Sequence, residues 1–125
     1  MRRLRSEALA TLAMAVLLAA TPAPGAPVAD AAMRGDSEAV KTLVERGADV
    51  NLAQGDGMTA LHWVAIHNQA QLVTILADAG ANLEAGTRIG AYTPLHVASR
   101  EGSFAALGAL LTAGANVHAL SSVGV

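Results

Sequence analysis

A six-residue stretch decides how this chain folds, and it reads Thr93-Pro94-Leu95-His96-Val97-Ala98. The hydroxyl of Thr93 can accept a hydrogen bond from an unpaired N–H group in the first turn of a helix. Pro94 suits the first helical position, where its fixed φ fits the helix and its missing N–H would have had no partner. Leu95 and Ala98 are three residues apart, so they share one helix face and can point into a core. The stretch therefore predicts the capped start of a buried helix.

The same hexad occurs 34 positions earlier in a weaker form, as Thr59-Ala60-Leu61-His62-Trp63-Val64. A second phrase keeps this spacing and opens each time on a glycine–alanine pair, at Gly47, Gly80 and Gly114. A third marker recurs at the corresponding positions Gly35, Asn68 and Gly102. Three markers that agree on a period of 33 or 34 residues indicate an internal repeat.

These phrases resemble the ankyrin-repeat family, whose 33-residue unit is a turn plus two antiparallel helices with a T-P-L-H-x-A helix start. The stretch at Thr93 matches all five fixed letters, whereas the stretch at Thr59 departs from them at Ala60 and Val64. The resemblance covers about residues 27–120. It implies an all-α fold, an ankyrin-repeat solenoid of stacked helix-turn-helix units with hairpin-like loops. It also gives a structural role to Gly47, Thr59, Leu61, His62, Gly80, Thr93, Pro94, Leu95, His96 and Gly114.

The repeat spacing divides the chain into five segments. We expect a signal peptide at 1–25, an N-terminal capping repeat at 26–51, full repeats at 52–84 and 85–118, and the start of a truncated repeat at 119–125. Helices are predicted at residues 27–33, 37–46, 60–67, 70–79, 94–101 and 104–113. The loop at 81–92 (finger 2) has one residue more than the corresponding part of the loop at 49–58 (finger 1), so it should bulge at its tip near Arg88, Ile89 and Gly90.

The last segment stops where a further repeat would begin. A terminal repeat with a polar outer face is absent from the sequence. We therefore expect Phe104, Leu107 and Leu111 to leave apolar surface uncovered. Two interpretations are open: the chain is a fragment or truncated product, or it is a complete short protein that pairs through this end.

The first 25 residues are typical of an export signal. An uncharged, mainly apolar run at residues 8–20 follows a basic start made by Arg2, Arg3 and Arg5. Small residues come next, and we expect cleavage after Gly25, with Ala20 and Ala26 as alternative positions. An uncleaved anchor is the rival interpretation, but the run is shorter than the roughly 20 residues that span a bilayer. We expect export to a bacterial periplasm or to the exterior.

Charge and composition argue against several classes of partner. Downstream of Gly25 there are five basic and nine acidic residues, a net charge of −4. An acidic domain is poorly suited to neutralise phosphates, so we expect no nucleic-acid partner, and no membrane partner once the signal is cleaved. The chain has no cysteine, which excludes disulfides.

Neither a metal site nor a catalytic site is expected. His62 and His96 occupy the same position of successive repeats, and packed helices lie about 8–10 Å apart. Two ligands of one zinc ion must each come within about 2.0–2.1 Å of it, which stacked repeats do not permit. The resemblance implies instead that both histidines hydrogen-bond to the side chain of the capping threonine and to loop backbone. No serine lies in a nucleophile elbow, and no glycine-rich loop precedes a lysine, so we expect no enzyme activity and no cofactor.

The remaining surface is expected to bind another protein. Tryptophan, tyrosine and arginine most often dominate the energy of such contacts. The candidate surface residues are Met58, Trp63, Ile66, His67, Arg88, Ile89, Tyr92, Val97 and Arg100. The expected function is an exported, non-catalytic protein–protein interaction module. The alternatives are an N-terminal docking domain or fragment of a longer exported enzyme, and a stabiliser of such an enzyme.

Overall fold

The computed structural model describes residues 25–119, and within that range the chain forms six α-helices and no β-strand. They are α1 (Pro27–Met33), α2 (Ser37–Glu45), α3 (Ala60–Ile66), α4 (Ala70–Asp78), α5 (Pro94–Glu101) and α6 (Phe104–Ala113). Each predicted helix agrees with the observed one to within one residue at either end. None of these six helices is long and apolar enough to cross a membrane. Residues 1–24 of the expected signal peptide lie outside the described residues. Residues 120–125 of the expected truncated repeat also lie outside them.

The helices pair along the chain and stack in two rows. Helices α1, α3 and α5 form one row, helices α2, α4 and α6 form the other, and each pair packs on the next. The core lies between the rows, and its largest fully buried apolar side chains are Val28, Val40, Leu61, Val64, Val73, Leu76 and Leu110. No single pair could cover these side chains alone, so stacking is what buries them.

Position in the stack explains how deeply corresponding residues are buried. Leu61 is 1% exposed because α3 has a neighbour on both sides in its row. Leu95 holds the same place in the next repeat and is only partly buried, because among the described helices α5 has a row neighbour on one side only. At that same end Phe104 is 76% exposed and Leu111 is 42% exposed, as expected, while Leu107 is half-buried.

The turn inside each helix pair requires a left-handed backbone conformation. Its residues are Gly35 at φ +73°, Asn68 at φ +56° and Gly102 at φ +71°. Glycine adopts this conformation without steric cost, and asparagine tolerates it better than most side chains do. Asn68 also makes a contact that glycine could not, since its Oδ1 accepts from the backbone N of Ala106 at 3.0 Å. The asparagine at this turn therefore joins the second helix pair to the third.

The tip of each finger is closed by a backbone hydrogen bond at the corresponding place in the two repeats. In finger 1 the N of Gln54 donates to the O of Met58 at 2.9 Å, and in finger 2 the N of Thr87 donates to the O of Tyr92 at 3.0 Å. The loop so closed is one residue longer in finger 2, which puts the insertion at the tip, as predicted. Ile89 at this tip is 88% exposed. Since the described residues contain no strand, the fingers resemble hairpins only in their turns.

The fingers are also joined to each other near their tips. The backbone N of Arg88 donates to the O of Asp56 at 2.8 Å, and its Nη1 donates to the O of Gly55 at 3.2 Å. Gly57, at φ +84°, leaves room for this approach, because a Cβ atom there would lie 2.7 Å from the Arg88 nitrogen. The close contact between the fingers therefore depends on a glycine at position 57.

His62 and His96 each connect the start of a helix to the loop that follows its helix pair. The backbone N of Thr59 donates to Nδ1 of His62 at 3.1 Å, so Nδ1 carries no proton there. Nε2 of His62 lies 2.8 Å from the O of Tyr92 and is the donor, because a carbonyl can only accept. His96 repeats the pattern, with 3.0 Å from the N of Thr93 to its Nδ1 and 2.9 Å from its Nε2 to the O of Ala119. Nδ1 also lies 2.9 Å from the hydroxyl of Thr59 in the first case and 3.0 Å from that of Thr93 in the second. Contacts with the side chain of the capping threonine and with loop backbone are those that the family resemblance implied.

His62 is fully buried, and burial lowers its pKa below the usual 6.5, although the carbonyl of Tyr92 acts in the opposite direction. The two hydrogen bonds described above fit the neutral ring, with its proton on Nε2. The neutral imidazole is thus the form that the fold contains.

The first prediction concerns Gly57. Gly57→Ala should lower the free energy of unfolding by about 1–3 kcal/mol, because the new Cβ combines a positive φ with a clash against backbone. Gly47→Ala is the matched control, since Gly47 has a similar φ of +80° but a Cβ there would meet nothing within 4 Å. Urea unfolding of both variants measures the difference. Equal losses in the two variants would contradict the inferred finger contact.

The second prediction concerns pH. Because the folded-state pKa of His62 is lowered, the unfolded chain binds a proton that the folded chain does not, once pH falls below about 6.5. The stability that neutral His62 contributes is therefore fully present above that pH and is lost as pH falls towards the lowered pKa. His62→Gln should cost about 1–3 kcal/mol at neutral pH, the range for leaving a buried polar group unpaired. The gap in unfolding free energy between wild type and variant should narrow in acid; a constant gap would contradict the prediction.

Candidate functional site

A groove of about 760 Å³ lies between the tips of the fingers. Finger 1, finger 2 and α5 each contribute to its lining, which consists of Gly55, Asp56, Met58, Thr87, Arg88, Ile89, Tyr92 and Arg100. Five of the nine residues predicted for the binding surface are therefore brought together here: Met58, Arg88, Ile89, Tyr92 and Arg100. The volume is in the range typical of ligand sites.

Tyr92 is the fixed aromatic element of this groove. The guanidinium carbon of Arg100 lies 5.2 Å from the centre of its ring, within the reach of a cation–π contact. The ring of His96 meets Tyr92 edge-on, with 6.1 Å between centroids and 82° between planes. Gly90 lies so close to the Tyr92 ring that a Cβ at that position would overlap it. The ring is thus held on several sides, and it in turn positions the charge of Arg100.

Thr87 shapes the tip of finger 2, and the sequence analysis missed it. Its hydroxyl donates to the O of Ile89 at 2.8 Å and accepts from the N of Tyr92 at 3.0 Å. A threonine three residues before the positive-φ Gly90 is a signal for such a side-chain-stabilised turn, and it could have been read from the sequence. The two bonds explain how a six-residue tip can present Ile89 to solvent in a defined position.

Trp63 and His67 belong to a second cluster outside the lining of the groove. The indole N–H of Trp63 donates to Oε1 of Gln54 at 2.8 Å, and Nε2 of Gln54 donates to Oδ1 of Asp30 at 2.8 Å. His67 stacks on Trp63 with 6.3 Å between centroids, and its Nε2 lies 3.2 Å from the O of Met33. Gln54 thus connects Trp63 to Asp30 of the first repeat, and the repeat pattern did not indicate this role.

Two other predicted surface residues differ from expectation. Ile66 is half-buried, so it presents only part of its side chain. Val97 is 3% exposed, and its assignment to the binding surface is wrong. Val97 holds the same repeat position as Trp63, but its short side chain ends below the surface, whereas the larger indole remains partly accessible.

The chemistry that these groups offer is binding. The groove presents two guanidinium groups, one aromatic ring and two apolar side chains, and its one carboxylate, Asp56, accepts from the backbone N of Met58 at 3.0 Å. In residues 25–119 no group of histidine, aspartate and glutamate side chains is arranged to hold a metal ion. Both ring nitrogens of His62 and of His96 are occupied by the contacts described above.

Comparison with known proteins agrees with the architecture. The family description "Ankyrin repeats (3 copies)" matches residues 28–120. Palmitoyltransferase Hip14 of Drosophila melanogaster is 38% identical over 93 residues, which are 74% of this chain and 14% of that protein. Palmitoyltransferase ZDHHC17 of Homo sapiens is 33% identical over 98 residues, 78% of this chain and 15% of that protein.

A third relative is named for the repeats alone. Ankyrin repeat domain-containing protein 40 of Mus musculus is 40% identical over 72 residues, 57% of this chain and 20% of that protein. The chain thus spans a fifth or less of each of these relatives. With the stacked helix pairs, the threonine–histidine caps and the family match over most of its length, this chain belongs to the ankyrin-repeat family.

Proposed function

We propose that this chain is a non-catalytic module that binds another protein through the finger-tip groove and the adjoining Trp63 cluster. The observation that carries the proposal is the meeting of five predicted surface residues in one groove whose walls are hydrogen-bonded to each other. Ankyrin repeats are protein-binding repeats, and stacked repeats supply the extended rigid surface that such binding uses. The rigidity matters because a surface ordered beforehand loses less conformational entropy on binding.

The use of the polar side chains supports binding over catalysis. His62 and His96 hold helix starts and loops, Thr87 holds a turn, and Gln54 holds an indole. In His62 and His96 these contacts occupy both ring nitrogens, so neither imidazole has a nitrogen left for proton transfer. We therefore propose that the repeat region has no enzymatic activity and needs no cofactor, and that its partner is neither nucleic acid nor membrane.

Export of the module is part of the proposal. The charge pattern of residues 1–25 supports it, and the position of the first helix bears on where the signal would be cut. Ala26 precedes α1, is 2% exposed, and its carbonyl accepts from the N of Asp30 at 2.8 Å. A cut after Gly25 would keep Ala26 in the mature protein, whereas a cut after Ala26 would remove a buried residue of the first turn. We propose cleavage after Gly25, a mature protein in a bacterial periplasm or outside the cell, and repeats divided at 26–51, 52–84 and 85–118.

A second candidate function is a docking region within a longer enzyme. The comparisons favour it, because several of the relatives are named palmitoyltransferases and the matched repeats make up only 14% of Hip14. In that case the described residues would still bind a protein, and the chemistry would belong to another part of the polypeptide. An immunoblot of the native host distinguishes the two, since the second candidate requires a polypeptide much longer than 125 residues.

A triple variant tests the binding surface. We expect Trp63→Ala/Arg88→Ala/Tyr92→Ala to lose at least about tenfold in partner capture from the exported fraction of the native host, since such residues often cost more than 1 kcal/mol each on truncation. Thr42→Ala/Arg46→Ala/Gln71→Ala is the matched control, because these three residues are exposed on the other row of helices. Undiminished capture by the first variant would refute the assignment of the surface.

The export proposal has its own test. After expression of the full chain in a bacterium, mass spectrometry of the periplasmic and culture fractions should find a protein that begins at Ala26. Replacing Leu12 by Arg in the apolar run should keep the chain uncleaved, because a charge disrupts that segment. Recovery of the wild-type chain only in the cytoplasm, with Met1 or Arg2 at its start, would contradict export.

A further inference from the structure

We propose that the finger-tip groove binds an acidic segment of the partner protein, with carboxylates paired to Arg88 and Arg100 and an apolar side chain lying against Met58 and Ile89. The inference rests on the proposed protein-binding function and adds the chemistry of the partner to it. Three features of the groove support it: a local reversal of charge, unsatisfied guanidinium donors, and an arginine held in place before binding.

The groove reverses the charge of the surrounding surface. The residues after Gly25 carry a net charge of −4, with only five basic side chains among them. Two of those five line this groove, together with the single carboxylate of Asp56. The rest of the surface therefore has three basic and eight acidic side chains. A positive groove in an acidic surface attracts a segment of negative charge and orients it, because the remaining surface repels it.

Both guanidinium groups retain donors for a ligand. Arg88 uses Nη1 for the carbonyl of Gly55. Arg100 has an ion pair with Glu101, at 3.9 Å from Nε to Oε1 between two well-exposed side chains, and such pairs contribute little. Within residues 25–119 the other guanidinium N–H groups of these two arginines have no acceptor. A guanidinium group offers five donors in a plane and pairs with a carboxylate through two parallel hydrogen bonds.

Arg100 is held in position before any ligand arrives. Its guanidinium carbon lies over the Tyr92 ring, 5.2 Å from the ring centre, so a cation–π contact holds the charge against an aromatic face. Tyr92 is itself fixed, because its carbonyl accepts from both His62 and Thr87 and its ring lies against Gly90. An arginine ordered in this way loses less side-chain entropy on pairing than a freely rotating one.

The apolar part of the groove suits a peptide better than another polyanion. Ile89 is 88% exposed and Met58 is partly exposed, so apolar contact area lies beside the charges. A nucleic acid would place many phosphates along a surface that is acidic outside the groove, which is unfavourable. An acidic segment with an adjacent apolar residue is the ligand that fits both the arginines and the apolar side chains of the groove.

Selection from a phage-displayed library of random peptides tests the inference on the mature chain. Peptides that bind the wild type should be enriched in aspartate and glutamate, with an apolar residue nearby. Arg88→Glu/Arg100→Glu should instead select lysine and arginine. Arg34→Glu/Arg46→Glu is the matched control, because it makes the same change in net charge at two exposed arginines that lie outside the groove, and it should select acidic peptides as the wild type does.

A second measurement does not depend on how well the charge-reversed variant folds. The most enriched peptide, synthesised with a fluorescent label, should bind the wild type at least about tenfold more tightly than its analogue with every Asp and Glu replaced by Asn and Gln, the ratio expected from one lost charge-assisted pair. Its affinity should fall as salt rises.

Three results would overturn the inference: no acidic enrichment with the wild type, equal binding of the two synthetic peptides, or tighter binding of a single-stranded oligonucleotide than of any peptide. None of them would by itself refute protein binding, because the triple alanine variant tests that function separately through the native partner. If partner capture depends on Trp63, Arg88 and Tyr92 while acidic peptides fail to bind, the proposed function stands and the chemistry assigned to the partner is wrong.

Discussion

The hydrogen bond from Nε2 of His62 to the carbonyl oxygen of Tyr92 is the contact on which the rest of the structure depends. A helix pair in this chain cannot bury its own apolar side, so each pair needs a neighbour set at a fixed distance and orientation. His62 provides that link, because its other ring nitrogen holds the cap of α3 while Nε2 reaches the next finger. The same Tyr92 carbonyl also accepts from the N of Thr87, which closes the finger tip. One buried imidazole thus connects a helix start, a loop and the wall of the groove.

Most of the fold could be predicted from the sequence, because repetition shows the local signals more than once. The helices, the left-handed turns and the extra residue at the tip of finger 2 all follow from spacing and from residues whose backbone preferences are known. The arrangement of the groove and of the adjoining Trp63 cluster was only partly predictable. Gln54 bonds to Trp63 and to Asp30 in the first repeat, and this pairing depends on how the repeats stack. Val97 was misassigned for a related reason: repeat position shows which way a side chain points, but not whether it is long enough to reach the surface.

The groups that we propose for binding lie where the repeat pattern leaves the residue type open. The positions that the fold requires are buried or capped, whereas the side chains of Ile89 and Arg100 are exposed. Arg88 is also exposed, although its backbone N and its Nη1 join the two fingers. Their placement nevertheless depends on required positions, since Gly57 allows the fingers to approach each other and Tyr92 supports Arg100. The residues proposed for binding therefore differ from those that the fold requires, but their positions depend on the residues that the fold requires. This coupling also applies if the repeats serve as the docking region of a longer enzyme.

Amide hydrogen exchange in His62→Ala, compared with the wild type, tests the central claim most directly. If His62 holds finger 2 in place, the variant should lose protection at the N–H groups of Thr87 and Arg88, which close the tip and bridge the fingers. The N–H of Val73 in α4 should keep more of its protection, because the helix pairs still bury their core. Unchanged exchange at Thr87 and Arg88, or an equal loss at all three amides, would contradict the account.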